Sequence, residues 1–415
     1  MLTVEEALAR VLAATPAGGV ERVFLSEASG RVLAEDLVAT RMLPPWANSA
    51  MDGYAVRAAD GRATRRVLET IAAGAVPRFP VEAGTASRIM TGAPVPDGAD
   101  AIVMVEDTAT EGENVTITRA PRPGDHVRRA GADVSIGAMV LERGTVLTPA
   151  AVGLAAALGI PSLLVGVRPR VAVLSTGDEV VEPGFELGPG QIHSSNTHAL
   201  AALVVQAGGV PVDLGNVRDD PVAIGEAFAR AAACDVVVST GGVSVGDFDH
   251  VKAVIGGGVE FWRVAMKPGK PLAFGRVGGK PTFGLPGNPV SCMVNFLQFV
   301  RPVLRTMLGD RAPFLPVLQV SLEGTLRRQP GRAEFVRVAL TLGPHGLVAR
   351  PAGGHQGSGN VLSMAHAHGF VLVDAAATEV SGVVPVQVFD TSFLASSHAG
   401  YAWAGSGTGT PDPCC

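Results

Sequence analysis

The tripeptide Ser-Thr-Gly occurs twice at the end of a short apolar run, at residues 175–177 and 239–241. Such runs predict strands, and the carboxyl ends of parallel strands border one ligand crevice. Glycine there lets backbone N–H groups approach an anion. The two loops predict the floor of a phosphate-binding site, and ordinary tight turns explain them equally well. Its candidate residues are Ser175, Thr176, Gly177, Gly241, Gly242 and Ser244.

Acidic residues follow both loops: Asp178 and Glu179 follow the first, and Asp247 and Asp249 follow the second. Carboxylates repel phosphates unless a divalent cation lies between them. Mg²⁺ prefers one or two carboxylates together with phosphate oxygens and water. Helix N-capping is the alternative, and it suits one of the four residues but not all. The pattern therefore predicts Mg²⁺ near Glu179 and Asp249.

Two further segments could bind anions. Residues 266–271 read Met-Lys-Pro-Gly-Lys-Pro, a turn from which Lys267 and Lys270 can aim at one diphosphate or tetrahedral dianion. Surface turns often carry lysines, so the tetrapeptide alone is a weak signal. Residues 283–291 lead from a predicted strand into a helix N-terminus, whose unpaired N–H groups and dipole favour anions. Pro286 and Asn288 are the candidates there, with a merely well-capped helix as the alternative.

The elements that position these loops alternate between short apolar strands and capped helices. Strands are predicted at residues 171–175, 210–214 and 235–239, and helices at 197–206 after the cap Asn196, after Asp220-Pro221, and from Asn288 onward. The last helix carries apolar residues at helical spacing as far as Leu304. The alternation predicts an α/β domain with a mostly parallel sheet and βαβ crossovers.

The flanking regions have shorter apolar runs broken by Gly and Pro. Residues 43–125 predict a β-rich insertion, after which residues 126–166 could rejoin the N-terminal segment. Residues from 314 to 390 predict a compact β-barrel or sandwich, and the Gly/Ser/Thr-rich tail predicts disorder. Residues 144–167 lack charge and are long enough for a membrane span. Because Gly159 and Pro161 interrupt them, a buried helix from about Pro149 and then a strand is favoured.

Composition narrows the class of protein. The chain has 415 residues, a formal net charge of −5 and no long basic run, which argues against nucleic acid as a partner. Its four cysteines form no C-x-x-C pair, which favours a reducing compartment over a disulfide framework. Thr3 and Glu6 form a capping box where a signal peptide would lie. A soluble, cytoplasmic protein without a membrane partner is expected.

Loops at residues 48–54, 88–94 and 128–133 carry polar side chains that spacing alone does not assign. Together with the motifs above, they resemble, in family order, the signature segments of molybdopterin molybdenumtransferases and of the carboxy-terminal domain of gephyrin. The similar segments are LPPWANSAMDGYAV (43–56), IMTGAPVP (89–96), STGDE (175–179), STGGVSVGDFD (239–249), KPGKP (267–271), GLPGNPVS (284–291) and GHQGSG (354–359). The sequence departs from the family pattern at Trp46-Ala47, where Phe-Asp is common, at Ala132, where an acid is frequent, and at His193, where Tyr is frequent.

The resemblance implies a multidomain α/β plus β fold with four domains. They are an elongated discontinuous domain (residues 1–42 and 126–166), the β-rich insertion (43–125), an α/β molybdopterin-binding domain (167–310) and a C-terminal β-barrel (311–395), followed by a disordered tail (396–415). It also implies a homodimer, in which the active-site cleft joins the α/β domain of one subunit to the insertion of the other.

The implied reaction converts adenylylated molybdopterin and molybdate into molybdenum cofactor and AMP, with Mg²⁺. Lys267 and Lys270, with Arg128 or Ser358, would then hold molybdate, and Glu179 and Asp249 would hold Mg²⁺. By resemblance the functional set also includes Asp52, as a catalytic residue, Thr91, Asp133 and Asp219. Molybdopterin adenylyltransferase and acceptor molybdoenzymes are further implied partners.

Two other functions are alternatives to this one. Molybdopterin adenylyltransferases resemble the α/β segment alone and typically carry Thr-Gly-Gly-Thr-Gly in the second loop, where this chain has Thr240-Gly-Gly-Val-Ser-Val. The insertion and the barrel would be surplus in such an enzyme. A non-catalytic scaffold, which gephyrin partly is, would not need intact acid and lysine loops.

Overall fold

The computed structural model describes residues 1–218, 220–241, 259–343 and 346–395. Two compact units form: residues 1–19 with the chain from residue 167 onward, and residues 20–166. The limits of the four implied domains stay a prediction, and the tail predicted to be disordered lies outside the described residues.

The first unit begins with α1 (Val4–Ala13), which opens with the predicted capping box. Thr3 Oγ1 accepts the Glu6 N–H at 3.2 Å, and Glu6 Oε2 accepts the Thr3 N–H at 2.9 Å. Ala7 and Val11 are fully buried in the core of this unit. The helix therefore docks by one apolar face.

The second unit contains the β-rich insertion and the chain on either side of it. Its elements are β1 (Val20–Phe24), α2 (Leu25–Ala28), β2 (Leu37–Val38), β3 (Asn48–Ser49), β4 (Gly53–Val56), β5 (Thr64–Ile71), β6 (Thr85–Ile89), β7 (Ala101–Met104), β8 (Thr108–Glu111), β9 (Asn114–Ile117), β10 (Val127–Arg128), β11 (Met139–Leu141), α3 (Pro149–Ala157) and β12 (Ser162–Gly166). The insertion is one six-stranded sheet in the order β7-β4-β6-β5-β9-β8.

Strands that precede the six-stranded sheet in the chain pair with strands that follow it. β1 pairs with β12, β2 with β11 and β3 with β10, all antiparallel. The uncharged stretch forms α3 and then β12, as expected, with Thr148 capping α3 through the Ala151 N–H at 3.2 Å. In the described parts of the chain, no helix combines the length and apolar character needed to cross a membrane.

The first unit continues with an α/β part and then a barrel. Its elements are β13 (Arg170–Thr176), β14 (Val180–Val181), β15 (Ile192–His193), α4 (Asn196–Gln206), β16 (Val210–Val217), α5 (Pro221–Ala231), β17 (Val236–Thr240), β18 (Val259–Arg263), β19 (Met266–Lys267), β20 (Pro271–Val277), β21 (Lys280–Leu285), α6 (Pro289–Asn295), α7 (Arg301–Met307), β22 (Val317–Arg327), β23 (Ala333–Gly343), β24 (Gly346–Pro351), α8 (Val361–Ala365), β25 (Gly369–Val373) and β26 (Glu379–Val388).

The central sheet has the order β16-β13-β17-β21-β20-β18. The first four strands run parallel, β20 runs antiparallel to its neighbour β21, and the edge strand β18 pairs antiparallel with β20. Alternate residues of β13 enter opposite cores: Val171 and Val173 pack with α4, whereas Ala172 and Leu174 pack with α5. Both faces are therefore covered, which explains the continuous apolar runs and confirms the mostly parallel α/β prediction.

The long helix after residue 288 is not regular throughout. α6 and α7 are separated by a π-helical segment, Phe296–Val300, all of whose residues are buried. The predicted uninterrupted α-helix is therefore wrong in its middle. Regular spacing would bury only one face, whereas this segment is enclosed on all sides by the core.

The C-terminal strands close into a barrel. β23 pairs with β24, β24 with β22, β22 with β26, β26 with β25, and β25 again with β23. Closure distinguishes a barrel from the sandwich that the sequence also allowed. Valines of β22, β23, β25 and β26 fill one core inside it. β24 was not among the predicted strands, because its sequence, Gly-Leu-Val-Ala-Arg-Pro, contains only a three-residue apolar run.

Candidate functional site

A cavity of about 160 Å³ lies in the first unit, where β13 and β17 end and α6 begins. It brings together five residues that the sequence singled out: Ser175, Thr176, Glu179, Gly241 and Asn288. The other lining residues were not predicted to be functional: Val180, Ile192, His193, Ser194, Ser195, Asn196, Thr240, Gly287 and Pro289.

The two Ser-Thr-Gly loops touch each other. Gly241 has φ of +90°, and a Cβ built on it would lie 2.3 Å from the carbonyl oxygen of Thr176. Only glycine permits both this backbone conformation and this approach. Thr240 Oγ1 also donates to the Pro286 carbonyl oxygen at 3.0 Å. Both loops and the Gly-Pro turn before α6 therefore form one continuous wall.

The acidic loop after β13 is compact. Gly177 has φ of +138°, and a Cβ there would lie 2.6 Å from Glu179 Oε2, so the Glu179 side chain folds back over this glycine. Asn216, on β16, donates from Nδ2 to the carbonyl oxygens of Gly177 at 2.9 Å and Val180 at 3.0 Å. Glu179 itself is exposed. The loop thus presents a carboxylate to the cavity from a backbone that a neighbouring strand holds.

Asn196 has a role different from the predicted helix cap. It is the first residue of α4, and the N-cap is Ser195, whose side chain makes no capping bond. The Asn196 amide instead donates to Thr240 Oγ1 at 3.0 Å and to the Gly287 carbonyl oxygen at 2.8 Å. Its side chain therefore ties two walls of the cavity together. The predicted cap was wrong because this tertiary use competes with local capping.

The lysine turn lies outside the cavity lining. Asn295, fully buried on α6, donates to the carbonyl oxygens of Gly269 at 3.2 Å and Pro271 at 3.3 Å and so fixes the turn. Lys267 Nζ lies 3.5 Å from Glu334 Oε1, while Lys270 is exposed.

The surroundings of Lys267 are cationic. Partial burial lowers the pKa of Lys267, and the Arg328 and Arg332 guanidinium groups lower it further. Glu334 is buried and also pairs with Arg328. One carboxylate therefore sits among three cations, a surplus of positive charge that suits an anion.

Arg337 is a residue that sequence reasoning missed. It is fully buried on β23, and burial lowers its pKa to about 10, so it stays charged at neutral pH. Its Nε donates to Ser363 Oγ at 2.7 Å and its Nη2 to the Gly357 carbonyl oxygen at 3.1 Å. Its Nη1 is buried without a hydrogen-bond partner among the described residues. No carboxylate of the described chain pairs with this cation.

The glycine-rich segment containing Ser358 is anchored around Arg337. Gln356 exchanges hydrogen bonds with the Arg337 backbone, at 2.9 Å to its N–H and 3.1 Å to its carbonyl oxygen. Asn360 donates to the carbonyl oxygens of Gly353 and His355, each at 3.0 Å. The Ser358 carbonyl accepts the Val290 N–H of α6 at 3.0 Å. The structure thus brings Ser358 to the first turn of the helix that borders the cavity.

The second unit joins the predicted residues Asp52 and Thr91. Asp52 Oδ1 accepts both the hydroxyl and the backbone N–H of Thr91, each at 2.7 Å. The Thr91 hydroxyl bond lowers the pKa of Asp52 most, the Thr91 N–H bond lowers it further, and nearby Arg88 adds to the effect. Asp52 is exposed and held in its charged form.

Arg128 and Asp133 lie on the chain that pairs with the segment before Asp52. Arg128 pairs with Asn48 across β10 and β3, and the Asp133 N–H donates to the Leu43 carbonyl oxygen at 2.9 Å. Backbone bonds of Ser49 and Ala93 link the same segment to the Thr91 turn. Within this unit, the four predicted residues therefore belong to one connected loop system.

Four predicted site residues, Asp219, Gly242, Ser244 and Asp249, lie outside the described residues. In the described ranges, no three His, Cys, Asp or Glu side chains converge on a point where they alone could hold a metal ion. A cation bound at Glu179 would therefore need oxygen ligands from elsewhere, as Mg²⁺ commonly takes from phosphates and water.

Comparison with known proteins gives matches along most of the chain. The MoeA N-terminal region (domain I and II) matches residues 2–159, a probable molybdopterin binding domain matches residues 172–306, and the MoeA C-terminal region (domain IV) matches residues 319–389. Molybdopterin molybdenumtransferase 2 of Mycobacterium tuberculosis is 42% identical over 384 residues, which cover 89% of this chain and 94% of that protein.

Two further proteins are also similar along most of this chain. The molybdopterin molybdenumtransferase of a Nostoc species is 39% identical over 376 residues, covering 87% of this chain and 86% of that protein. A crystal structure of a molybdopterin biosynthesis MoeA protein from Pyrococcus horikoshii has a TM-score of 0.82 at 31% identity, covering 94% of this chain and all of the other.

Proposed function

Since the chain belongs to the MoeA family of molybdopterin molybdenumtransferases, we propose that it inserts molybdenum into molybdopterin. The substrates are adenylylated molybdopterin and molybdate, and the products are molybdenum cofactor and AMP, with Mg²⁺ required. The observation that carries the proposal is the cavity in which two touching Ser-Thr-Gly loops meet the carboxylate of Glu179. Glycine loops that also present an acid suit a phosphoanhydride bound through a cation.

Mg²⁺ fits the donors available there. Glu179 offers one exposed carboxylate beside the hydroxyls of Ser175 and Thr176, and substrate phosphates would supply further oxygens. Asp249 is proposed as the second carboxylate. When bound, Mg²⁺ would neutralise charge on the phosphoryl oxygens. The chain itself holds the acidic loop in place, and the Thr176 carbonyl packed against Gly241 fixes the spacing of the two loops.

Molybdate, as substrate, is a tetrahedral dianion and needs positive charge. Lys267 and Lys270 are proposed to attract it, and Arg337 is proposed to support the Ser358 segment, which contacts α6 as the lysine turn does. A buried guanidinium without a carboxylate partner is costly to retain for stability alone. Its role is therefore assigned to holding the segment that carries Ser358 for the anion.

The direct test mixes the pure protein with adenylylated molybdopterin, molybdate and Mg²⁺. AMP and a cofactor able to activate a molybdoenzyme apoprotein are both expected, and neither without Mg²⁺. AMP formed without active cofactor would show hydrolysis rather than molybdenum transfer. No AMP at all would contradict the proposed function.

Replacing Lys267 or Lys270 by Ala is expected to raise the molybdate or adenylylated-molybdopterin concentration needed for half-maximal rate. Inhibition by salt should become shallower, because fewer positive charges remain to be screened. Sulfate should compete in the parent protein and less in the variants. Lys280→Ala is the control, since Lys280 begins β21, at the end of that strand opposite the cavity, and lies near Asp235. Unchanged anion dependence in both variants would leave the turn as an ordinary surface loop.

A homodimer in which Asp52 of one chain serves the same reaction as Glu179 of the other is part of this proposal. Asp52→Ala and Glu179→Ala homodimers should both be inactive. A mixed heterodimer has one reaction centre with both defects and one with neither, so it should regain roughly half the parent activity. Differently tagged chains allow its purification. A folded heterodimer without activity would mean that each centre uses a single chain.

A cytoplasmic location is proposed from the thiols. Cys234 and Cys292 are buried and free, and burial raises the pKa of Cys292 to about 12. Thiols of this kind fit a reducing compartment. We also propose molybdopterin adenylyltransferase as the source of the adenylylated substrate and molybdoenzymes as acceptors of the product.

A further inference from the structure

A β-bulge in β16 aims the side chain of Asn216 at the acidic loop. Along β13 and β16, Val173 pairs with Asp213, but Ser175 pairs with Asn216, so β16 contains one extra residue between the two pairs. Gly215, inside the bulge, has φ of +76°, and its N–H donates to Asp213 Oδ1 at 2.8 Å. Bulges often redirect a side chain next to an active site.

The redirected amide of Asn216 makes three hydrogen bonds at once. Its Oδ1 accepts the Ser175 hydroxyl at 2.9 Å, and its Nδ2 donates to the carbonyl oxygens of Gly177 and Val180. These partners bracket Asp178 and Glu179. A single side chain therefore connects the end of β13, the loop after it and the start of β14.

Asn216 is chemically specific in this position. One oxygen that accepts and one nitrogen that donates twice are needed at the same place, and only a side-chain amide offers both in one plane. The assignment of its oxygen and nitrogen follows from the partners, because two carbonyl oxygens can only accept. An aspartate of the same shape could keep the bond from Ser175 but would set its other oxygen against both carbonyls.

We infer that Asn216 is a positioning residue, which holds the 177–180 loop so that the Glu179 carboxylate can bind Mg²⁺. The inference rests on the proposed function in one respect: Glu179 is taken to meet Mg²⁺ together with phosphate oxygens. Asn216 does not touch the substrate. Its effect passes through the backbone of Gly177 and Val180, so its loss should weaken metal binding without unfolding the sheet.

The test uses the full-length Asn216→Asp variant and two measurements on the folded protein. The first is hydrogen exchange of the amides of residues 178–181, which should speed up about 10–100-fold, as for the loss of two hydrogen bonds. The second is the affinity for Mn²⁺, titrated with AMP present and followed by electron paramagnetic resonance. It should fall about 10–100-fold, the usual cost of losing a residue that orients a metal ligand.

Two further variants sharpen the result. Asn114→Asp makes the same chemical change at an exposed strand position of the insertion and should alter neither measurement. Gly215→Ala removes no functional group, but its φ of +76° is unfavourable for alanine, and no atom lies within 4 Å of the added Cβ. It should shift both measurements in the same direction as Asn216→Asp, by a smaller factor. Amide exchange and Mn²⁺ affinity equal to those of the parent in Gly215→Ala would contradict the role given to the bulge.

The outcomes separate this inference from the proposed function. Unchanged exchange in Asn216→Asp would show that the amide does not hold the loop. Faster exchange with unchanged Mn²⁺ affinity would show a structural role only, and either result overturns the inference. A parent protein that binds Mn²⁺ but releases no AMP from adenylylated molybdopterin would instead contradict the proposed function alone. A parent that binds no Mn²⁺ would overturn the metal role and the inference together.

Discussion

Glu179→Gln is expected to lower the rate of AMP release by about 10²–10⁴-fold, the range typical for loss of a group that acts through a metal or a proton. The substitution keeps the shape of the side chain and removes its charge. Because Glu179 is exposed and lies over Gly177, it contributes little packing, and the melting temperature should stay close to that of the parent. The measurement is single-turnover AMP release at several Mg²⁺ concentrations.

The matched control is Glu186→Gln, an exposed residue further along the same segment. It should release AMP at the parent rate. Asp249→Asn should behave as Glu179→Gln does if Asp249 is the second carboxylate. Turnover close to that of the parent in both Glu179→Gln and Asp249→Asn, even at limiting Mg²⁺, would remove these carboxylates from the mechanism.

Local patterns allowed much of the fold and part of the site to be predicted. Apolar runs placed β13 and β17, and the Asp220-Pro221 pair correctly marked the start of α5, where Asp220 caps the Ala223 N–H at 2.9 Å. The glycines of the two Ser-Thr-Gly motifs were predicted to let the backbone approach an anion, which stays a prediction; in the structure Gly241 admits the Thr176 carbonyl oxygen and Gly177 the Glu179 side chain. The strands and the α5 cap depend on neighbours in sequence, which is why a single sequence reveals them.

Features that depend on long-range register could not be predicted. Asn216 reaches Gly177 only because a bulge shifts β16 against β13. Asn196 looked like a cap, yet its amide bridges Thr240 and Gly287, which are 44 and 91 residues away. In each case the side chain type is ordinary for a turn or cap, and only the tertiary partner makes it part of the site.

Arg337 departs from the apolar pattern of its strand. On β23, Val336 and Val338 face the barrel core, and Phe335 faces the core shared with α6. Strand alternation therefore placed Arg337 on the apolar side with Phe335. A charged residue on a buried strand face is rarely found without a partner, and that conflict alone pointed to function.

Arg337→Met is expected to raise the molybdate concentration needed for half-maximal rate by about 10–100-fold, the usual cost of losing a residue that orients a binding group. Methionine fills a similar volume and removes the charge. Because a buried, unpaired cation contributes little net stability, the free energy of unfolding should change by less than about 2 kcal/mol. Steady-state rates against molybdate and a denaturant titration measure the two quantities.

Arg350→Met is the control, because Arg350 is an exposed arginine of the same barrel and pairs with Glu323. It should leave the molybdate dependence unchanged. Arg337→Lys should have a molybdate requirement close to that of Arg337→Met. An ammonium group cannot donate to Ser363 and Gly357 in the planar geometry of a guanidinium. A large loss of stability in Arg337→Met with normal molybdate dependence would assign Arg337 to the barrel rather than to the anion. A higher molybdate requirement for half-maximal rate, at the stability of the parent, would mean that Arg337 holds the Ser358 segment for the substrate.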